Sequence, residues 1–443
     1  MNIQRTSINT CANDEANTAI NPKIQTTTKR TTTNDDSSMN AKLRRAAQVG
    51  NARAIEQLVQ QGAEINKTDS VGWTPLHFAC NSGHAKAVNV LLAKGAEVSL
   101  GDNEMGATPL HLASHGNDIG IATSLLKRKR TMLHTTTTCG ETPLFIASKK
   151  GKEQLVALYL SNGARVDFSS KNGTTPLLVA SQEGHMSVIQ VLLAYGAKVD
   201  LCNQSGETPL FMAIQNRHFQ VAHYLLQSAH ANPNRYTLDG ASPLFMACLY
   251  GQEPLVDWLL HCGANVNASN GGSTALHVAS QEGHLSIVKL LLSKQKRAHV
   301  NAKDENGATC LYAACEFGHL HVAKALLAKG ADVNAAAHDG SRPLDIAQSR
   351  QHAAVIDFLV EAGATAAWGK PAATATATQK QEQVFHDELL QLLAETDITV
   401  DDPIFDSLSI GDEFSGEGCK RLRSSESCSF ETTMPLAKKC RKA

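Results

Sequence analysis

Aromatic residues make up only 5% of this 443-residue chain, which leaves Leu, Ala and Val to build any core. No run of 18 apolar residues occurs either, so no helix is expected to span a bilayer. A surplus of one charge is missing as well. Lys and Arg number 41 against 42 Asp and Glu, a formal net charge of −1 that gives no global pull toward nucleic acid or an acidic membrane. Eleven cysteines are present, none as Cys-x-x-Cys, and positions such as Cys80, Cys248 and Cys315 read as buried, reduced thiols of cytosol or nucleus. The N-terminus has no apolar segment of signal-peptide type, and Asp14 and Glu15 argue against a mitochondrial presequence.

Catalytic signatures are absent too. There is no His-Glu-x-x-His, no Gly-x-Ser-x-Gly and no phosphate-binding Gly-x-x-x-x-Gly-Lys-Ser/Thr. Cys310 and Cys315 lie near His319 and His321, but they fall on successive repeat positions that point to different layers, which argues against zinc. No cofactor and no enzymatic activity are expected.

What is there is a period. Thr-Pro-Leu-His and its degraded copies mark helix starts at Thr74, Thr108, Thr142, Thr175, Thr208, Ser242, Thr274, Thr309 and Arg342, spaced by 32–35 residues. A period of this size specifies a solenoid, a stack of units none of which can cover its own apolar face. In the unit at Gly72, Thr74 suits an N-cap and Pro75 the first helical position, where its missing N–H costs nothing. Leu76 and Ala79 share a face, Gly83 ends the helix, and Ala87, Val88, Val90, Leu91 and Leu92 form the stripe of a second helix closed by Gly95.

These residues resemble the ankyrin repeat family, whose pattern is Gly-x-Thr-Pro-Leu-His-x-Ala-x-x-x-Gly-His followed by an apolar helix ending Leu-Leu-x-x-Gly-Ala. The resemblance runs through Thr108–His111, Thr142–Phe145, Thr175–Leu178 and Thr208–Phe211, weakens through Ser242–Phe245, Thr274–His277 and Thr309–Tyr312, and ends at Arg342–Asp345. Residues 41–66 match only the two helices, as a terminal cap would, giving about ten repeats over 41–364. It implies an all-α solenoid of helix–turn–helix units with short β-hairpin loops. His77, His111 and His277 would then bond neighbouring loops, and His84, His185, His284 and His319 would serve structure in the turn between helices. Val179–His185 recurs unchanged as Val278–His284, which reads as local duplication or as two equivalent half-sites.

The resemblance also implies a concave groove, lined by hairpin tips and first helices, that binds a protein partner. Carried onto this chain, Trp73, Tyr250 and Phe317 are the aromatic anchors, with Lys149, Lys150, Gln182, Glu183, Gln281 and Glu282 beside them. The alternative is that each aromatic packs on its neighbouring repeat. In the third unit, Ala113-Ser114-His115-Gly116 reads one residue short and loop 101–106 one residue long, so a distortion is expected near Gly106. Lys127–Arg130 and Lys294–Arg297 replace the usual ending of the second helix. They either complement the helix dipole or form a basic edge for an acidic peptide, such as this chain's own tail.

Outside the array, residues 1–40 read as a Thr/Asn-rich disordered arm and 365–381 as an Ala/Thr linker. Residues 382–418 form an acidic–hydrophobic segment: from Glu382 to Glu417 there are eleven acidic residues and no Lys or Arg. Phe385, Leu389, Leu392 and Leu393 share one side of an amphipathic helix over Val384–Ala394. The segment reads as a docking element for a second protein, as a cap on the last repeat, or as simple disorder. In the basic tail 419–443, Lys420, Arg421 and Arg423, then Lys438, Lys439, Arg441 and Lys442, resemble nuclear import signals, or are an unused basic end. The expected function is an intracellular protein-binding adaptor in nucleus or cytoplasm, with no direct contact with nucleic acid or membrane expected. A nuclear co-regulator, a cytosolic scaffold or ubiquitin-ligase recruiting subunit, and a secreted effector imitating host adaptors stay open.

Overall fold

The computed structural model describes residues 38–293 and 298–367. Among them, ten antiparallel helix pairs follow one another, from Met39–Gln48 with Ala52–Gln60 to Pro343–Ser349 with Ala353–Glu361. First helices stack on first helices and second on second, so each pair touches only its neighbours. A single apolar core runs from Leu43 to Leu359 through these layers. Leu and Ala supply most of it, with Leu76, Ala79, Leu144, Ala147, Leu177 and Ala180 in the inner seam all buried. The small alanines let helices approach at native packing density.

The threonines start the first helices as their sequence context implies. Thr142, Thr175 and Thr208 hydroxyls each accept from the N–H three residues on, all at 3.2 Å. The last repeat has no such hydroxyl. There Asp345 reaches back from the third helical position to accept the Arg342 N–H at 2.8 Å, the reciprocal half of a capping box.

First helices end on a left-handed residue. Gly83 (φ 73°) and Gly184 (φ 78°) take it with no Cβ to clash. In the third repeat that place falls to Asn117 (φ 68°), because the helix Pro109–Gly116 runs through Gly116. The unit is therefore not short. Reading Gly116 as the terminator mistook residue type for position, and Asn is among the few side chains that tolerate this conformation. Arg217 and Gln351 occupy the equivalent place in two other repeats.

Between pairs, the chain turns out to a hairpin. In the second repeat Asp69 N–H bonds the Trp73 carbonyl at 3.0 Å and Gly72 N–H bonds Asp69 at 3.2 Å. Only Ser269–Asn270 and Ser273–Thr274 form a regular two-stranded ladder among the described residues. The third-repeat loop is longer by one residue: Gly106 N–H reaches four residues back to Asp102, rather than three. The extra residue falls within Asp102–Gly106, so the irregularity lies where the sequence placed it. Successive tips are linked, as Lys171 N–H to the Cys139 carbonyl at 2.9 Å shows.

A candidate partner-binding groove

Two sets of histidines rivet the layers. In the first set, Thr74 N–H donates to His77 Nδ1 at 3.2 Å while His77 Nε2 lies 3.1 Å from the Ala107 carbonyl of the next repeat. A backbone N–H can only donate, so Nδ1 is bare and Nε2 carries the proton. His111 repeats the arrangement with the Glu141 carbonyl at 3.2 Å, and His277 with Ala308 at 3.3 Å. Burial favours the neutral ring, and the His111 pKa is lowered to about 4. In the second set, His84, His185, His319 and His352 bond the carbonyl of Gln48, Lys149, Gln281 and Glu316, at 2.8–3.0 Å, in the preceding repeat. These rings lie over the left-handed glycines: a Cβ on Gly184 would stand 2.5 Å from His218 Nδ1.

Rigid layers hold one open groove between hairpin tips and first helices in the fourth and fifth repeats. Its volume is about 340 Å³, and Cys139, Glu141, Phe145, Lys149, Lys171 and Gln182 line it. Electrostatically it is crowded with cations. Burial lowers the pKa of Lys150, and the neighbouring Lys149 and Lys152 lower it further. Burial likewise lowers His115, aided by Lys150 and Lys152. Burial raises Glu141, against the pull of Lys149 and Lys150. Among the described residues, none of Lys149, Lys150 and Lys171 makes an ion pair.

Of the residues assigned from sequence, the structure brings Lys149 and Gln182 to this groove, with Lys150 and Glu183 at its end. Gln281 and Glu282 occupy the same register three repeats further on. The anchors divide. Phe317 is exposed, at 43% of its surface. Trp73 is half-buried, edge-on to Phe78 of its own repeat at 5.1 Å. Tyr250 donates its hydroxyl to the Gln215 carbonyl at 3.2 Å, and the Arg217 guanidinium covers its ring at 4.9 Å. Tyr250 thus packs half-buried on the preceding repeat, whereas Phe317 is exposed. Leu238, 81% exposed on a hairpin tip, was missed, with Tyr236 beside it. The signal was present as two large side chains, Tyr236 and Leu238, within the single tip Arg235–Gly240.

Of the basic runs, Arg128 donates to the Leu92 carbonyl at 2.6 Å, at the C-terminal end of the neighbouring second helix. Lys294–Arg297 lie outside the described residues, as do Phe385, Leu389, Leu392 and Leu393 and all the import residues from Lys420 to Lys442. No described helix is long and apolar enough to cross a membrane.

Comparison with known proteins agrees with this geometry. A family model described as ankyrin repeats (3 copies) matches residues 43–135, 117–202, 144–237, 229–304 and 295–367. Rabankyrin-5 of Homo sapiens is 43% identical over 67 residues, 15% of this chain and 6% of that protein. Ankyrin repeat and SAM domain-containing protein 6 of Rattus norvegicus is 38% identical over 81 residues, 17% of this chain and 9% of that one. Protein phosphatase 1 regulatory subunit 27 of Homo sapiens is 46% identical over 41 residues, 9% of this chain and 27% of that one. The matched segments thus span less than a third of each relative.

Proposed function

Because this chain belongs to the ankyrin repeat family, we propose that it is a non-enzymatic adaptor holding a protein partner along its hairpin tips and first helices. In the finer version it acts in the nucleus as a co-regulator, with the acidic segment recruiting a second protein. The observation that carries the reading is a set of side chains the fold does not use. Lys149, Lys150, Lys171, Leu238 and Phe317 lie on one face, and the lysines have no ion-pair partner among the described residues. Unpaired cations and an exposed Leu or Phe cost stability-neutral surface at best, and they gain value only when a partner buries them. One relative carries the same direction in its printed name, a phosphatase regulatory subunit, though that name belongs to that protein.

The test is affinity capture from native lysate with the full chain and with Lys149→Glu, Lys171→Glu, Leu238→Ala and Phe317→Ala combined. All four side chains are surface positions, so thermal unfolding should be unchanged. A partner lost by the variant supports recognition on this face; a partner set indistinguishable from wild type refutes it. Imaging of the full chain with Lys420, Arg421, Arg423, Lys438, Lys439, Arg441 and Lys442 all changed to Ala tests nuclear entry separately, and unchanged distribution removes the import assignment.

A further inference from the structure

The face just described is not uniform in charge. In the fourth and fifth repeats it is basic, with Lys149, Lys150 and Lys171, and Glu141 and Glu183 come near without forming an ion pair. Two repeats further on it turns apolar, with Leu238 exposed at a tip and Phe245 and Leu249 half-buried on the first helix. In the last three repeats it is mixed, the exposed Glu282, Glu305 and Asp339 standing with the exposed Lys303 and Arg350. The other basic run, at the end of the third-repeat second helix, differs in kind, since Arg128 already serves a carbonyl of the adjacent repeat.

Only one part of this sequence matches that order of chemistry. Residues 382–417 carry eleven acidic groups, no Lys or Arg, and interleaved Phe, Leu and Ile. We infer that this segment docks in cis on the array, its first half with Phe385 and Leu389 against Leu238, Phe245 and Leu249, and its later carboxylates against Lys149, Lys150 and Lys171.

Reach and direction agree. The 14 residues 368–381 separate the last described residue from Glu382. Fully extended, a chain of this length spans about 50 Å. Packed helices lie roughly 8–10 Å apart, so the seventh repeat is only about 30 Å back from the tenth. A further 20 residues cover the same distance again to the fourth. The last repeats mix both signs, whereas Lys149, Lys150 and Lys171 cluster without an ion pair among the described residues, so the carboxylates pass to those lysines rather than capping the end. Tethering makes the encounter intramolecular, at an effective concentration near the millimolar range, so weak contacts suffice. The docked segment would occupy the surface that the adaptor reading reserves for a partner, and a partner must displace it. This inference rests on that reading of the face.

Hydrogen exchange on the full chain tests it, comparing wild type with a variant whose eleven acids in 382–417 are changed to Asn and Gln. Docking predicts that amides of 138–141 and 170–174 exchange about tenfold faster in the variant. The difference should vanish near 1 M salt, where charge attraction is screened within about 3 Å. Lys149→Glu, Lys150→Glu and Lys171→Glu together should reproduce the loss, and placing Lys at the tail acids in that background should restore protection. Equal exchange in wild type and the tail variant overturns the inference. So does protection confined to repeats other than the fourth, fifth and seventh, or protection that rises with protein concentration and so arises between chains. If docking fails while the face variants still lose their captured partner, the adaptor reading stands alone.

Discussion

Acid should unfasten this array through the capping histidines, and His111 is where the size of the effect can be worked out. Its Nδ1 receives the Thr108 N–H at 3.1 Å and its Nε2 donates to the Glu141 carbonyl, so the ring has no room for a second proton. Folded, its pKa is about 4; unfolded, it returns to the ordinary 6.5. Below 6.5 the unfolded chain therefore binds the proton that the folded chain refuses. Stability is fully present above that value and drains away as pH falls toward 4. At 1.36 kcal/mol per decade the gap corresponds to roughly 3 kcal/mol from this one side chain. His77 and His277 are lowered by the same burial and should add to it in the same direction. The assay is urea unfolding from pH 7 to pH 4 for wild type and His111→Gln. Gln can offer an N–H to the Glu141 carbonyl but cannot titrate. The variant should be less stable at pH 7, and the two curves should converge by about 3 kcal/mol at pH 4. Curves that stay parallel would refute both the tautomer and the burial argument.

Three other outcomes follow from the same contacts. Gly184→Ala and Gly196→Ala both place a Cβ at positive φ, 78° and 82°, but only the first meets a histidine ring. Thermal unfolding should show Gly184→Ala the worse by about 1 kcal/mol or more, since overpacking adds to the backbone cost; equal losses would remove the ring from the explanation. Tyr159→Phe deletes a buried hydroxyl bonded to Ser114 at 2.7 Å across adjacent repeats and should cost about 1 kcal/mol. A melting curve indistinguishable from wild type would mean the bond is not made. Iodoacetamide should modify Cys139 in the folded chain while Cys80, Cys248 and Cys310 react only on unfolding, because burial pushes their thiols up and shuts out the reagent; mass spectrometry showing early modification of those three contradicts their burial.

The fold was legible because each repeat writes its own start: a hydroxyl, a proline and a leucine in sequence place a capped helix without help from the rest of the chain. Local signals of that kind also located the long loop at Gly106. They failed at Gly116, where the conformation is set by distance from the cap and not by which residue happens to be glycine. The groove was harder to read for a different reason. Tyr250 and Phe317 hold the same place in their repeats, yet one has Gln215 and Arg217 of the preceding layer waiting for it and the other stays in solvent. Exposure at such a position depends on a residue some 35 places upstream. The 81% exposure of Leu238 is likewise set by how far the tip projects rather than by its neighbours in sequence.

The rings resting on left-handed glycines amount to a rule about which repeats may stand next to which. His84, His185, His218, His284, His319 and His352 each face a glycine one layer back. Where that place holds Asn117 or Arg217, the following layer has Lys152 or Gln252 instead of a ring. Neighbours are thus matched in pairs, and genetic rearrangement is safe only at cuts that preserve the match. The repeated heptapeptides supply such cuts. Excising His185 through Gly283, 99 residues, joins Gly184 directly to His284. That ring then faces Gly151, and His319 faces Gly184, so every junction keeps its glycine. Excision between these copies would shorten the array by three repeats and keep each ring on a glycine, while second helix Glu153–Ser161 would have to pack on Leu285–Leu291, a helix it does not now touch.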